Sequence, residues 1–598
     1  MKLTHLTPVW AWQLSLLLLP LSAAAQTQRP LFPANQEATT KPNIIFILTD
    51  DQDLHLQSLD YLPLIKRRLV DQGTLYTHHY CTTALCCPSR VSLWTGKQAH
   101  NTNVTDVAPP HGGYPKFVSQ GLNSAYLPVW LQEAGYDTYY TGKLFNAHTV
   151  DNYLSPRPAG FNGSDFLLDP FTYSYLNSTF QRNNEEPVSY EGQHSMDVLT
   201  SKALGFLDDA AKGDRPFFLG IAPVAPHSNV EIPSFGSTSN SSGVHDAVFS
   251  APIPAKRHEH LFPDAKVPRT ENFNPESPSG ANWVRDLPRQ TRENVDYNDH
   301  FYRQRLRTLQ SVDELVDDIF RHLESYGLLS NTYIFYTSDN GYHIGQHRLQ
   351  PGKECGFEED INIPLIIRGP GVPSNTTASI VTTHIDLAPT LLQLAGSPLR
   401  ADFDGEAIPL TAEGLEEASE YRHEHVTVEY WGFAAFEGEY YPDGGRILGN
   451  NTYKAVRVVG SGYSFYYAVW CNNEHELYDL TTDPQQLKNL LHPDEVAPAT
   501  LLGVPFEKAV SRLDALLFVL KSCKGQTCVR PWHALHPAGN VQNLHDALAA
   551  RYDDFYLKEQ KKVSYDRCEM GYIVDAEGPQ FEGVGLVYRH GTRWSDWV

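Results

Sequence analysis

The sequence predicts an α/β protein: a large domain on a central, mostly parallel sheet, followed by a smaller α+β domain with an antiparallel sheet. Three observations carry this. Apolar runs open directly onto acidic pairs at PNIIFILTDDQD and YIFYTSDNGYH, a helix-periodic stretch stands just before the second, and after about residue 397 the pattern changes to alternating aromatic segments such as SGYSFYYAVW.

The first run, Ile44 to Leu48, is apolar at every position, which suits a parallel strand buried on both faces. Tyr333 to Thr337 reads the same way. Between them, Val312, Leu315, Val316, Ile319, Phe320 and Leu323 follow the helical period, with Gly327 able to end it. Ser311 and Glu314 offer a capping box, although the period also runs upstream through Leu306 and Leu309. Helix then buried strand is the α/β signature, and ligands of open α/β sheets collect beyond the carboxyl ends of the strands. Asp50-Asp51 and Asp339-Asn340 both fall there. Residues 251–292 show no sustained period and read as an irregular insertion, either a plain surface loop or a pocket rim. The domains are expected at 41–396 (catalytic) and 397–528 (smaller), with 529–598 an extension of no clear fold.

Residues 1–25 read as a secretory leader: Lys2, the apolar LSLLLLPL, and Ala23-Ala24-Ala25 as the cleavage site. The leader is too short for a membrane span, and no later run of about 18 apolar residues follows. Without it the chain holds 46 basic and 70 acidic residues, a net charge of −24 that argues against nucleic acid as a partner. Sequons at Asn103, Asn162, Asn177, Asn240, Asn375 and Asn450 suit N-glycans on a secreted, extracellular protein or one of a lysosome-like compartment. Eight cysteines allow four bridges. Cys523 and Cys528, across the short KGQT loop, are expected to pair; the other connectivities stay open.

The stretch CTTALCCPSRVSLWTGK, residues 81 to 97, carries the chemistry. Pro88 suits the first turn of a helix that Gly96 can end, with Val91, Leu93 and Trp94 on its buried side. Cys86 and Cys87 then lie at the helix mouth, where free amides favour an anion, and Arg90 adds a planar donor fork. At the strand ends, three carboxylates and an amide oxygen form a hard oxygen cage that suits Ca²⁺ or Mg²⁺ better than zinc. Each Asp alone could be a turn or cap, but two adjacent carboxylates call for a cation.

Cys86-Cys87-Pro88-Ser89-Arg90 with Thr95-Gly96 resembles the C-x-P-S-R-x4-T-G signature of type I sulfatases. The resemblance spans most of the chain, through the paired acids, TGKLFNAH, APVAPH, GKECGFEEDINIPLIIRGPG, THIDLAPTLLQLAG and ELYDLTTDPQQLKNLL. It is nearest to secreted fungal-type arylsulfatases and the glucosamine-6-sulfatase branch. It implies an alkaline-phosphatase-like fold and oxidation of Cys86 to formylglycine by a formylglycine-generating enzyme during secretion. It also implies a metal site of Asp50, Asp51, residue 86, Asp339 and Asn340 holding Ca²⁺, with Mg²⁺ the lesser choice. Arg90, Lys143 and Lys353 are implied to stabilise sulfuryl charge and His227 to protonate the departing alcohol. Cys87 is the variable position, expected to be buried or bridged to Cys355 or Cys81. One departure stands out: where many members carry a histidine two or three residues after the lysine matching Lys143, this chain has Phe145 and Asn146, with His148 near in sequence and His343 and His347 following the second metal pair. The implied activity is hydrolysis of a small aryl or sugar sulfate. Its rivals are a phosphonate or phosphate ester hydrolase of the same superfamily, and an inactive glycoprotein that binds sulfated glycans with Cys86 left a thiol.

Overall fold

The first long apolar run becomes strand β1, Asn43–Thr49, in the middle of a ten-stranded sheet. The structure, a computed structural model, describes residues 41–231, 247–441 and 445–581; the leader expected over 1–25 and the sequon at Asn240 lie outside them. Alternate residues of β1 enter two separate cores, with Ile44, Phe46 and Leu48 on one face and Ile45 and Ile47 on the other. Its apolar run is unbroken because neither face meets water. Strands β2 (Asp137–Gly142), β3 (Phe217–Ala222) and β4 (Thr332–Ser338) continue the parallel block, with β1 between β3 and β4. Beyond β4, Leu365–Arg368 runs antiparallel, so the sheet is mixed at its margins. Register pairs Thr49 with Ser338, which brings both acidic pairs to one edge.

Helix α1 spans Cys86–Thr95, and Gly96 closes it with φ 66°. It starts at Cys86, two residues before Pro88, the expected first residue. The long helix α2 covers Arg292–Ser325 and packs Leu309, Val312, Leu315, Val316, Ile319, Phe320 and Leu323 under the sheet. Its capping box is Thr291 with Asn294; Ser311 is buried inside the helix, so the expected Ser311–Glu314 box does not form. The early turns were masked in sequence by charge, although Phe301, Tyr302 and Arg305 are buried there.

The smaller antiparallel sheet orders His425–Tyr430, Tyr453–Gly460, Tyr463–Trp470 and His475–Asp479 side by side, with helix α3 (Phe506–Leu520) on one face. The extension is not shapeless: Trp532, Leu535, Leu544, Tyr556 and Val563 join the core under α3. A disulfide, Cys471–Cys568, ties it to the small sheet, and Cys523–Cys528 forms as expected. Cys81, Cys86, Cys87 and Cys355 are buried free thiols, so of the two alternatives expected for Cys87, burial holds and a bridge to Cys355 or Cys81 does not form. Among the described residues no helix is long and apolar enough to cross a membrane.

Candidate active site

Beyond the ends of β1 and β4, Asp50, Asp51, Asp339 and Asn340 are fully buried. Asp51 turns the chain out of the strand with φ 68°, a left-handed conformation that Asp tolerates better than most side chains. The turn is pinned on both sides: Asp339 accepts the Asp51 N–H at 2.9 Å, and Arg305 donates to the Asp51 carbonyl at 2.6 Å. Cys86, at the mouth of α1, sets its Sγ 3.4 Å from Asp50 Oδ1 and 3.9 Å from Asp51 Oδ1.

Three cations close the cluster. Arg90 donates through Nε to Asp339 at 2.8 Å and through Nη1 to the Lys143 carbonyl at 2.7 Å. Lys143 Nζ meets Asp50 at 2.7 Å, and Lys353 Nζ donates to both Asp51 oxygens at 2.7 Å. The balance of burial and charge separates the acids. Burial, reinforced by Asp339, raises the Asp50 pKa. At Asp339 burial acts the same way but is overcome by Arg90, Lys143 and Lys353, which hold that carboxyl well below its usual range. Burial pushes the Cys86 thiol well up.

The donor set fits a hard divalent cation. Ligand atoms of Asp50, Asp51, Cys86 and His227 lie within 4.8 Å of one another. Asn340 gives its Nδ2 to Asp51 at 2.7 Å and leaves Oδ1 buried without a partner beside the carboxylates. An orphaned amide oxygen among carboxylates is what an oxygen-seeking ion would satisfy.

His227 completes the group, its Nε2 3.5 Å from Asp51 Oδ2. Its Nδ1 lies 2.8 Å from the Ser228 carbonyl, which fixes the proton on that nitrogen and leaves Nε2 toward the cluster. All nine residues singled out in the sequence thus converge. Of the other histidines, His148 is buried between Tyr114 and Phe166, with burial lowering its pKa to about 3. His343 is paired with Asp360 at 2.8 Å, and His347 stacks on Phe357 at 3.7 Å. None of the three lines the cavity above Cys86.

Sequence reading missed three residues. Tyr173 stacks on His227 at 4.1 Å, lies under Lys143 at 4.7 Å, and receives the Asn146 amide at 2.6 Å. Glu437, from the small domain, holds Lys353 at 2.9 Å and accepts from Ser228 and Tyr342. Arg305, from α2, holds the Asp51 turn. None carries a local motif. The cavity, about 150 Å³, is walled by parts of both domains, including Val107, Phe249, Trp431 and Phe433. Residues 251–292 contribute nothing to its lining among the described residues; Val230, Ala247 and Phe249 stand there instead.

A cavity that opens over Cys86, His227 and Lys353, with the buried cluster of cations and carboxylates beside them beyond the parallel strands, suits an enzyme of anionic esters. The sulfatase family pattern matches residues 42–397, and that of the N-sulphoglucosamine sulphohydrolase C-terminal region matches 345–501. An arylsulfatase of Volvox carteri is 38% identical over 544 residues, covering 87% of this chain and 80% of its own. Human N-acetylglucosamine-6-sulfatase is 31% identical, covering 82% and 87%. Among solved structures, BT4656 in complex with its substrate D-glucosamine-2-N,6-O-disulfate shares the fold with a TM-score of 0.59 at 23% identity, covering 76% of this chain and 94% of its own. The chain belongs to the type I sulfatase family. It is a sulfuric ester hydrolase on the alkaline-phosphatase-like fold expected from the sequence.

Proposed function

We propose that the protein is a secreted, N-glycosylated, Ca²⁺-dependent arylsulfatase-type enzyme that cleaves sulfate monoesters through formylglycine made from Cys86. The observation that carries this is the position of Cys86 Sγ, 3.4 Å from Asp50 and 3.9 Å from Asp51 at the floor of the cavity, with Lys143 paired to the first acid and Lys353 to the second. Sγ stands where the reactive oxygens of formylglycine would lie. That residue, made by a formylglycine-generating enzyme, would supply paired hydroxyls able to take up and then release sulfate. Asp50, Asp51, Asp339 and Asn340 would hold the ion, which when bound supplies Lewis-acid charge stabilisation next to residue 86. Ca²⁺ suits the carboxylate-rich cage, with Mg²⁺ the lesser choice.

The side chains divide the remaining work. Arg90 fixes Asp339 and, with Lys143 and Lys353, sets positive charge where sulfuryl oxygens gather electrons. His227 keeps its Nδ1–H on the Ser228 carbonyl and turns Nε2 toward the leaving oxygen, to which the doubly protonated imidazolium would give its Nε2 proton. Tyr173 keeps His227 and Lys143 in line by stacking on one and lying under the other. In this reading 41–396 is the catalytic domain, 397–528 the smaller domain that lends Glu437, and 529–598 its extension. Exposed asparagines at the 162, 375 and 450 sequons support glycosylation.

The test is a peptide mass spectrum across residue 86, together with turnover of 4-nitrophenyl sulfate and 4-nitrophenyl phosphate. An aldehyde at 86 and preference for the sulfate are expected. A thiol at 86 in active enzyme would overturn the mechanism; preference for phosphate would make the protein a phosphate ester hydrolase of the superfamily. An unconverted, inactive protein would fit the glycan-binding reading.

A further inference from the structure

The cavity above Cys86 has a largely apolar wall. Val107, Val230, Phe249, Trp431 and Phe433 give its wall an apolar face. Besides His227, Lys353 and Glu437, the polar lining includes Asp106, Asp169 and Glu354, each accepting a backbone N–H: Val107 at 2.6 Å, Ala147 at 2.7 Å and Ala435 at 2.5 Å respectively. Ionised or protonated, these three acids offer no countercharge to an anion. The lysines near the wall are already committed. Lys353 is shared between Asp51 and Glu437. Lys454, behind the Trp431 ring at 4.2 Å, is paired with Glu429 at 2.7 Å. Arg446, which is not among the lining residues, lies over the Phe249 and Tyr441 rings and donates to the Phe436 carbonyl at 2.9 Å.

Trp431 is held rigidly enough to discriminate. Its Nε1 donates to Glu577 at 2.7 Å, and Tyr572 stands edge-on to it at 5.9 Å, so the C-terminal extension braces the wall from behind.

We propose that this wall selects sulfate monoesters whose leaving group is an uncharged ring, and rejects esters that bear a second anionic group near the sulfate. The inference rests on the sulfatase reading above and adds the class of leaving group. The physical reason is desolvation: among the described residues the lining holds no lysine or arginine other than Lys353, already shared by Asp51 and Glu437, so a second anion would leave water without a new ion pair.

The experiment compares 3-carbamoylphenyl sulfate with 3-carboxyphenyl sulfate, nearly equal in shape and leaving-group acidity, on the full-length converted enzyme at neutral pH. The amide ester should show a kcat/KM higher by at least about tenfold. The product analogues 3-hydroxybenzamide and 3-hydroxybenzoate, tested as competitive inhibitors, should rank the same way. Phe433→Arg, on the half-buried part of the wall, supplies the missing cation and should narrow the ratio. Equal or better turnover of the carboxylate ester by the parent enzyme overturns the selection while leaving the sulfatase reading intact. Turnover of neither ester would count against the reaction itself, and the inhibitor ranking would then decide the selection alone.

Discussion

Replacing His227 by Ala isolates the proton that the leaving oxygen needs. In the structure the ring has one nitrogen committed to Ser228 and one face covered by Tyr173, so Nε2 alone remains for chemistry. General acid catalysis is worth about 10²- to 10⁴-fold, or roughly 3 to 5 kcal/mol of barrier. That loss should appear in full only where the alcohol is a poor leaving group. For 4-nitrophenyl sulfate, whose phenol is acidic enough to depart as the anion, the loss should stay below about tenfold. The assay is kcat/KM across substituted phenyl sulfates and one alkyl sulfate, plotted against leaving-group pKa; the slope should steepen in the variant. Folding should survive, since the ring's stacking partner contributes only about 0.5 to 1.5 kcal/mol beyond burial. A uniform loss across the series would remove His227 from the acid role.

Other perturbations test separate parts of the argument. Ca²⁺ at about 100 times its Kd should stabilise the parent enzyme by about 2.7 kcal/mol, and Asp51→Asn should abolish that gain in a thermal scan; an equal shift in both proteins would refute the ligand assignment. Cys87 is a buried free thiol, so Cys87→Ser should cost less than about 2 kcal/mol and keep turnover; loss of activity in folded protein would contradict this. Burial raises the Glu476 pKa to about 7 despite hydrogen bonds from Trp470 and Tyr478. The folded state therefore holds a proton that the unfolded chain releases, and stability present below pH 4.5 should fall, by up to about 3 kcal/mol, as pH rises through 7. Glu476→Gln should flatten that decline in denaturant titrations, and an unchanged pH slope would refute the assignment.

Much of the site could be read from the chain because its parts sit at the ends of strands that announce themselves. β1 is apolar at every residue from Ile44 to Leu48 because both faces are covered, and the acids follow at once where the sheet edge opens. Cys86, Arg90 and Gly96 lie on a single short helix, so their spacing alone carries the geometry. Glu437, Tyr173 and Arg305 are different. Each reaches the site through contacts made across the fold, and nothing in its neighbours along the chain marks it. The first half of α2 was obscured for a related reason: its buried face includes Arg305, paired with Asp53 at 3.2 Å, so a charge stands where periodicity looks for an apolar residue. The extension was unreadable because it has no long element of its own, only short helices that gain meaning against α3.

The burial of Cys86 has a consequence in time. Only 2% of the residue is exposed, beneath a cavity whose walls come from both domains, so an oxidising enzyme cannot take hold of it in the finished protein. The conversion proposed for Cys86 must therefore come before folding is complete. Folded but unconverted protein should keep its thiol when incubated with the converting enzyme and lose it only after unfolding, a difference that the mass of the residue-86 peptide reports. Each molecule would then carry a permanent record of its own synthesis, and the specific activity of a preparation would count the chains intercepted before they closed.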